Sequence, residues 1–254
     1  MCPILFSLGS LNLYAYGFFV AVGFILGFIL ALRRGRQEGI PDERIIDILF
    51  LSVISAIVGS RLLFVLVNFE HFRDDPLQIL KVWEGGLVFY GGLILSVAVS
   101  FGYLIWNRLP VWKVADILSP AIALGLFFGR IGCLFAGCCY GKVTSLPWSI
   151  TFTDPNSLAP LNVTLHPTQI YEAIGSLLLF LFLNWKAKRK AFDGHIFYLF
   201  LLVYSTLRFM IEFLRDDPRG FFFGGILSTS QGIGIFLALT SLFMLFYLKR
   251  RRRR

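Results

Sequence analysis

Three arginines, Arg61, Arg130 and Arg208, stand inside long apolar runs of this chain. The runs reach the roughly 20 apolar residues that a helix needs to cross a hydrocarbon core, where no water satisfies stray backbone groups. We read seven spans: Leu11 to Leu32, Ile45 to Val67, Leu87 to Trp106, Val114 to Leu134, Thr168 to Trp185, Ile196 to Leu214, and Gly225 to Leu248. A hydrophobic content of 57% and a mean hydropathy of +0.74 exclude an ordinary soluble domain. Strand-like alternation is absent, which leaves an all-α, multi-pass membrane protein forming a single membrane domain over residues 1–254. The first span is expected to be retained, because no Lys or Arg precedes it and it outruns the apolar region of a signal peptide.

Orientation follows from the cations in alternate loops. One side receives Arg33, Arg34, Arg36, Arg44, Arg108, Lys113, Lys186, Lys188, Arg189, Lys190, Lys249 and Arg250 through Arg254; the other receives only Arg73, Lys81, Lys142, Arg215 and Arg219. Positive-inside places the C-terminus in the cytoplasm and, with seven spans, the N-terminus outside. The net charge of +9 is then mostly topological. The basic tail at 249–254 directly follows a span, so anchoring against anionic lipid accounts for it without nucleic acid.

A charge at mid-bilayer costs at least ~2.5 kcal/mol, so the three intramembrane arginines are expected to face partners or a polar cavity. In this topology they lie in the later, outer part of spans two, four and six, while Tyr14, Tyr16, Tyr90 and Glu172 lie in the outer part of spans one, three and five. Tyr204, Arg208 and Glu212 follow i, i+4, i+8 spacing and share one helix face. Either a structural ion pair or a functional site explains such a gathering; buried charges concentrate at functional sites, and that reading is preferred. Arg61 either binds an anion or pairs with Glu172. Asp47 and Asp116, near cytoplasmic helix ends, read as helix-end or interfacial residues.

Small residues recur every fourth position at Ala121, Gly125, Gly129 and Cys133, and at Gly23 and Gly27, a spacing that lets helices pack closely. Gly85-Gly86 and Gly91-Gly92 flank a helix start whose exposed amides are candidates to receive phosphate. The outer loop, residues 139–167, carries Pro147, Pro155, Pro160, Pro167 and Trp148, the composition of an ordered cap. It ends at His166, the one histidine that enters the membrane beside the arginines, and a candidate acid or base. Cys133, Cys138 and Cys139 follow Arg130 closely, but no second CxxC or HxxH completes a four-ligand set, so no metal or other cofactor is expected. A disulfide or redox pair is compatible with them; thiols filling space at a helix end is the reading preferred.

The run Gly129-Arg130-Ile131-Gly132-Cys133-Leu134-Phe135-Ala136-Gly137-Cys138-Cys139-Tyr140-Gly141 resembles the hallmark segment of prolipoprotein diacylglyceryl transferases. His166 to Glu172 resembles their HPSQLYE stretch, and Tyr204, Arg208, Glu212 and Arg215 their late arginine motif. Tyr16-Gly17 and Gly86 to Leu93 match as well, so the resemblance runs in order along nearly the whole chain. It implies transfer of a diacylglyceryl group from phosphatidylglycerol to the lipobox cysteine of a prolipoprotein signal peptide, with release of glycerol phosphate, at the outer face of the bacterial cytoplasmic membrane. On that reading Arg130 and Arg208 clamp phosphate and act in catalysis, and Tyr16, Gly91, Gly92, Tyr204, Glu212 and Arg61 complete the lipid site.

The chain departs from the family pattern where Tyr90 replaces a histidine and where Cys133 and Cys138 replace an asparagine and a glutamate. The thiol's proton then goes to Tyr90 or to His166, or the arginine field alone lowers the thiol pKa enough. Two rival classes are a membrane thiol oxidoreductase using Cys138 and Cys139, and an anion or lipid transporter, for which internal repeats are expected and not found.

Overall fold

The computed structural model describes residues 2–8, 11–73, 75–81, 85–216, 221–222 and 227–252. The elements run β1 (Ile4–Leu8), β2 (Leu11–Tyr14), α1 (Ala15–Gln37), α2 (Asp42–Val67), α3 (Phe69–Phe72), a 3-10 turn (Pro76–Leu80), α4 (Phe89–Trp106), α5 (Val111–Ala136), β3 (Ile150–Thr151), β4 (Thr164–Leu165), α6 (Thr168–Ala187), α7 (His195–Glu212), β5 (Phe221–Phe222), β6 (Leu227–Ser228) and α8 (Thr229–Arg252). Seven of these helices, α1, α2 and α4 to α8, are long and apolar enough to cross a membrane. The outward-facing surface of the helices carries large apolar side chains such as Phe50, Ile94, Leu178 and Phe243, as expected for helices solvated by lipid.

One expectation needs correction. Strands do occur: Leu11–Tyr14, assigned above to the first span, pairs antiparallel with Ile4–Leu8, and among the described residues two more short two-stranded sheets lie in the connections. The proposed start of the seventh span at Gly225, the loop cation Arg219, and Arg253 and Arg254 of the tail lie outside the described residues.

The chain divides into two compact units, residues 32–114 and residues 1–31 with 115–254. In the first, α2 packs along α4 with almost no side chain between them at Gly59 and Gly91, where a Cβ on either glycine would overlap the carbonyl oxygen of the other. Gly92 presses in the same way on Ala56 and Ser60. Polar side chains extend this seam: Ser52 and Ser100 share a hydrogen bond (2.9 Å), and the Tyr103 hydroxyl donates to Asp47 (2.5 Å) while accepting from Arg44 (3.1 Å).

In the second unit the four-residue spacing of small residues does pack helices. Gly23 of α1 lies against Gly125 and Phe128 of α5, Gly27 against Ala121, and Gly132 against the backbone of Tyr16. Helices α6 and α7 enclose an apolar core of Leu179, Leu183, Ile196 and Phe200 with Ala123 of α5. Asp116 is buried rather than interfacial: its carboxylate accepts from the N–H groups of Gly194 (2.8 Å) and Phe197 (2.9 Å), satisfying donors at the start of α7 from a different helix, with Lys190 at 3.7 Å. Pro120 interrupts the backbone ladder inside α5, a break that sequence reading passed over.

The connection between α5 and α6 is ordered. Strands β3 and β4 pair at Ile150 with Leu165 and Thr151 with Thr164, over a small core of Phe152, Ala159 and Leu165. Gly137, at φ +76°, turns the chain out of α5 where a side chain would strike Ser157.

Candidate anion site

The ends of α5 and α7 and the start of α6 meet around one carboxylate. Glu172, in the second turn of α6, is 6% exposed. Its Oε2 lies 2.5 Å from Nε of Arg130 on α5, and its Oε1 accepts from Nη1 of Arg215 at 2.8 Å, with Nη1 of Arg208 3.8 Å away. Arg208 also pairs with Glu212 one turn along α7, as the i, i+4 spacing requires. Glu212 in turn accepts from the Ser228 hydroxyl (2.8 Å). That serine opens α8 in a reciprocal capping box: Gln231 N–H donates to Ser228 Oγ (3.2 Å) and Ser228 N–H to Gln231 Oε1 (3.0 Å).

Backbone pairing fixes the frame. Gly141 N–H donates to the His166 carbonyl (3.2 Å), His166 N–H to the Lys142 carbonyl (2.9 Å), and Lys142 N–H to the Leu214 carbonyl (2.8 Å). A Cβ at Gly141 would meet His166 and the Leu214 carbonyl, so only glycine lets the three segments close on one another. Buried Thr168 and Gln169 donate to the carbonyls of Cys139 (2.8 Å) and Cys138 (2.9 Å).

Three guanidinium groups against two carboxylates leave the cluster one positive charge in excess. The terminal nitrogens of Arg208 are buried, and although they lie near Glu172 and Glu212 neither makes a well-aligned hydrogen bond among the described residues. Buried donors in that state cost stability unless an acceptor arrives. Such an arrangement suits a singly charged anion with several oxygens.

Arg130, Arg208 and Glu212 therefore come together as the sequence suggested. Tyr204, stacked on Phe200 with ring centroids 5.7 Å apart, lies within electrostatic range of Arg130, as does Tyr16. Glu172, placed by sequence in the polar gathering, is its hub, and Arg215, which sequence offers only through the late arginine motif, is a buried member. Arg215 had been counted among the exposed loop cations, yet its side chain is 2% exposed. His166 stands at the entry to α6, its ring edge-on to Tyr171, with Nδ1 buried and lacking a hydrogen-bond partner among the described residues.

The remaining candidates belong to the other unit. Arg61 is engaged within its own unit. Its guanidinium donates to the carbonyls of Gln78 (2.5 Å), Ile79 (2.9 Å), Gly85 (2.7 Å) and Gly86 (3.3 Å), between the rings of Phe64 and Phe72. It thereby holds the turn in which Gly85 and Gly86 adopt positive φ. Tyr90, 41% exposed, opens α4 with Phe89. The amides of Gly91 and Gly92 donate to the Val88 carbonyl, and both residues are buried against α2.

The three cysteines at the end of α5 also converge. The Sγ atoms of Cys133, Cys138 and Cys139 all lie within 4.8 Å of one another, although nothing in their spacing announced it. Hydrogen bonding from Cys133 and Cys138, with Arg215 nearby, pushes the Cys139 thiol well below its ordinary pKa despite burial. Hydrogen bonding to Cys133 and Cys139, with burial, pushes Cys138 up.

Residues 3–247 match the family model described as prolipoprotein diacylglyceryl transferase. The chain is similar to the phosphatidylglycerol--prolipoprotein diacylglyceryl transferase of Clostridium tetani (38% identity over 244 residues, 96% of each chain). It is similar also to the second enzyme of that name in Clostridium perfringens (39%; 93% of this chain and 91% of the relative) and to that of Vibrio parahaemolyticus (36%; 98% and 91%).

Proposed function

The chain belongs to the prolipoprotein diacylglyceryl transferase family, and on that premise we propose that its arginine cluster receives the phosphodiester of phosphatidylglycerol as diacylglyceryl donor. The protein is a membrane transferase that moves the diacylglyceryl group onto a prolipoprotein. The observation that carries the proposal is the excess of one buried positive charge around Glu172, matched to a phosphodiester monoanion.

The acceptor is the lipobox cysteine of the signal peptide. Its sulfur attacks the glycerol carbon that carries the phosphate ester, a carbon–sulfur bond forms, and the carbon–oxygen bond breaks with its electron pair passing to phosphate. Glycerol phosphate leaves with one more negative charge than the diester held. Arg130 and Arg208 bind the phosphate and oppose that growing charge, while Glu172 and Glu212 hold both guanidiniums in place. Tyr204 and Tyr16 line the cluster's edge. Tyr90 and His166 are the side chains proposed to orient or accept the thiol proton; the unpartnered Nδ1 of His166 is an available acceptor.

The loop cations support a site facing the outer leaflet of the bacterial cytoplasmic membrane, with residues 139–167 as an outer cap and the tail inside. The oxidoreductase and transporter readings are not favoured, since the relatives are named transferases. Reconstitution with phosphatidylglycerol and a lipobox peptide tests the proposal. Peptide mass gain with stoichiometric glycerol phosphate release is expected; absence of both contradicts it.

A further inference from the structure

We propose that Cys133, Cys138 and Cys139 form a three-thiolate zinc site whose open fourth position binds and ionises the acceptor cysteine; this rests on the transferase reading above. All three Sγ atoms already lie within 4.8 Å of one another. Zinc–sulfur bonds of about 2.3 Å in a tetrahedron require sulfurs about 3.8 Å apart, so each need move by no more than ~0.6 Å. That is a small side-chain adjustment.

The backbone is built to bring the thiols together. Gly137 at φ +76° reverses the chain at the end of α5, and Cys139 adopts φ +61°, a backbone region that non-glycine residues seldom occupy. Thr168 and Gln169 of α6 hold the carbonyls of Cys139 and Cys138, so this conformation is maintained from about thirty positions along the chain.

The donor set also selects the metal. Three soft sulfurs favour zinc over hard cations. Among the described residues no histidine or carboxylate joins the group, and three protein ligands with a free position are the pattern of a zinc centre that binds substrate.

A thiol that coordinates zinc is deprotonated outright. The peptide thiol would pass its proton on binding to the acceptor named above, His166 or Tyr90, and its sulfur would attack the glycerol carbon while Arg130 holds the neighbouring phosphate. The thioether formed is a neutral, weak ligand and leaves the metal. At pH 7 full ionisation of a thiol of pKa about 8.5 raises the reactive fraction about 30-fold.

Full-length protein, chelator-stripped, reduced and free of oxygen, is titrated with Cd2+ and Co2+. Sulfur-to-cadmium charge transfer saturating at one metal per chain is expected, retained in Cys2→Ser and lost in Cys138→Ser with helical circular dichroism unchanged. No band, or an unchanged band in Cys138→Ser, overturns the site. Lipobox peptide should add a fourth sulfur to the Co2+ spectrum, and an unshifted spectrum overturns the role in binding the nucleophile. Stripped protein should release glycerol phosphate about 30-fold more slowly and recover with zinc. Equal turnover in both forms overturns the zinc role and leaves the transferase reading standing. Absence of release in every form overturns the transferase reading, while the spectra still report on the metal.

Discussion

Arg130 and Arg215 are held by the two oxygens of one carboxylate: Glu172 Oε2 lies 2.5 Å from Arg130 Nε, and its Oε1 accepts from Arg215 at 2.8 Å. One side chain of α6 thus ties the end of α5 to the segment after α7. Glu172→Gln removes the charge and keeps the shape. Breaking a buried pair typically costs about 3–5 kcal/mol. A marked fall in thermal midpoint, with loss of turnover, is expected in detergent-solubilised protein.

Arg130→Ala should lower turnover by about 100-fold or more, the range found when a donor to developing negative charge is removed. Membrane insertion should be retained. Near-normal glycerol phosphate release in reconstituted vesicles would remove Arg130 from the site.

Arg208→Lys should also be damaging, by about 10-fold or more. An ammonium cannot pair with Glu212 and offer a planar pair of donors to phosphate at once. Comparing the rates of Arg208→Lys and wild type at saturating phosphatidylglycerol measures this.

Arg61→Ala is expected to act on stability. Its guanidinium satisfies carbonyls of Gln78, Ile79, Gly85 and Gly86, and removing it strands them. The thermal midpoint should fall with phosphatidylglycerol present or absent. Unchanged stability with weakened lipid binding would return Arg61 to the lipid site.

Ser228→Ala removes both the cap of α8 and a hydrogen bond to Glu212. A loss of about 1 kcal/mol is expected from the cap. Because Glu212 also holds Arg208, turnover should drop several-fold, read in the same reconstituted assay.

The helices and the arginines were legible for physical reasons. Apolar length reports a span directly, and a guanidinium in such a span demands a partner, which i, i+4 spacing identified as Glu212 for Arg208. Arg215 was not legible from topology, because a cation just beyond a span reads as a loop charge; only contact with Glu172, forty-three residues earlier, makes it part of the site. The convergence of the cysteines depends on a positive-φ turn at Gly137 and on anchors from α6, neither of which cysteine spacing expresses. The capping box from Ser228 to Gln231 was readable as S-x-x-Q and was passed over. Asp116 lies near a helix end as its sequence position indicates, but its burial was not legible, because helix-end acids are commonly exposed whereas here the start of α7 lies over it.

The most direct measurement is an experimental structure with phosphatidylglycerol bound. The account predicts the phosphate within hydrogen-bonding distance of both Arg130 and Arg208, with Glu172 and Glu212 still behind them. Phosphate bound elsewhere, with the two arginines engaged only by their carboxylates, would contradict it.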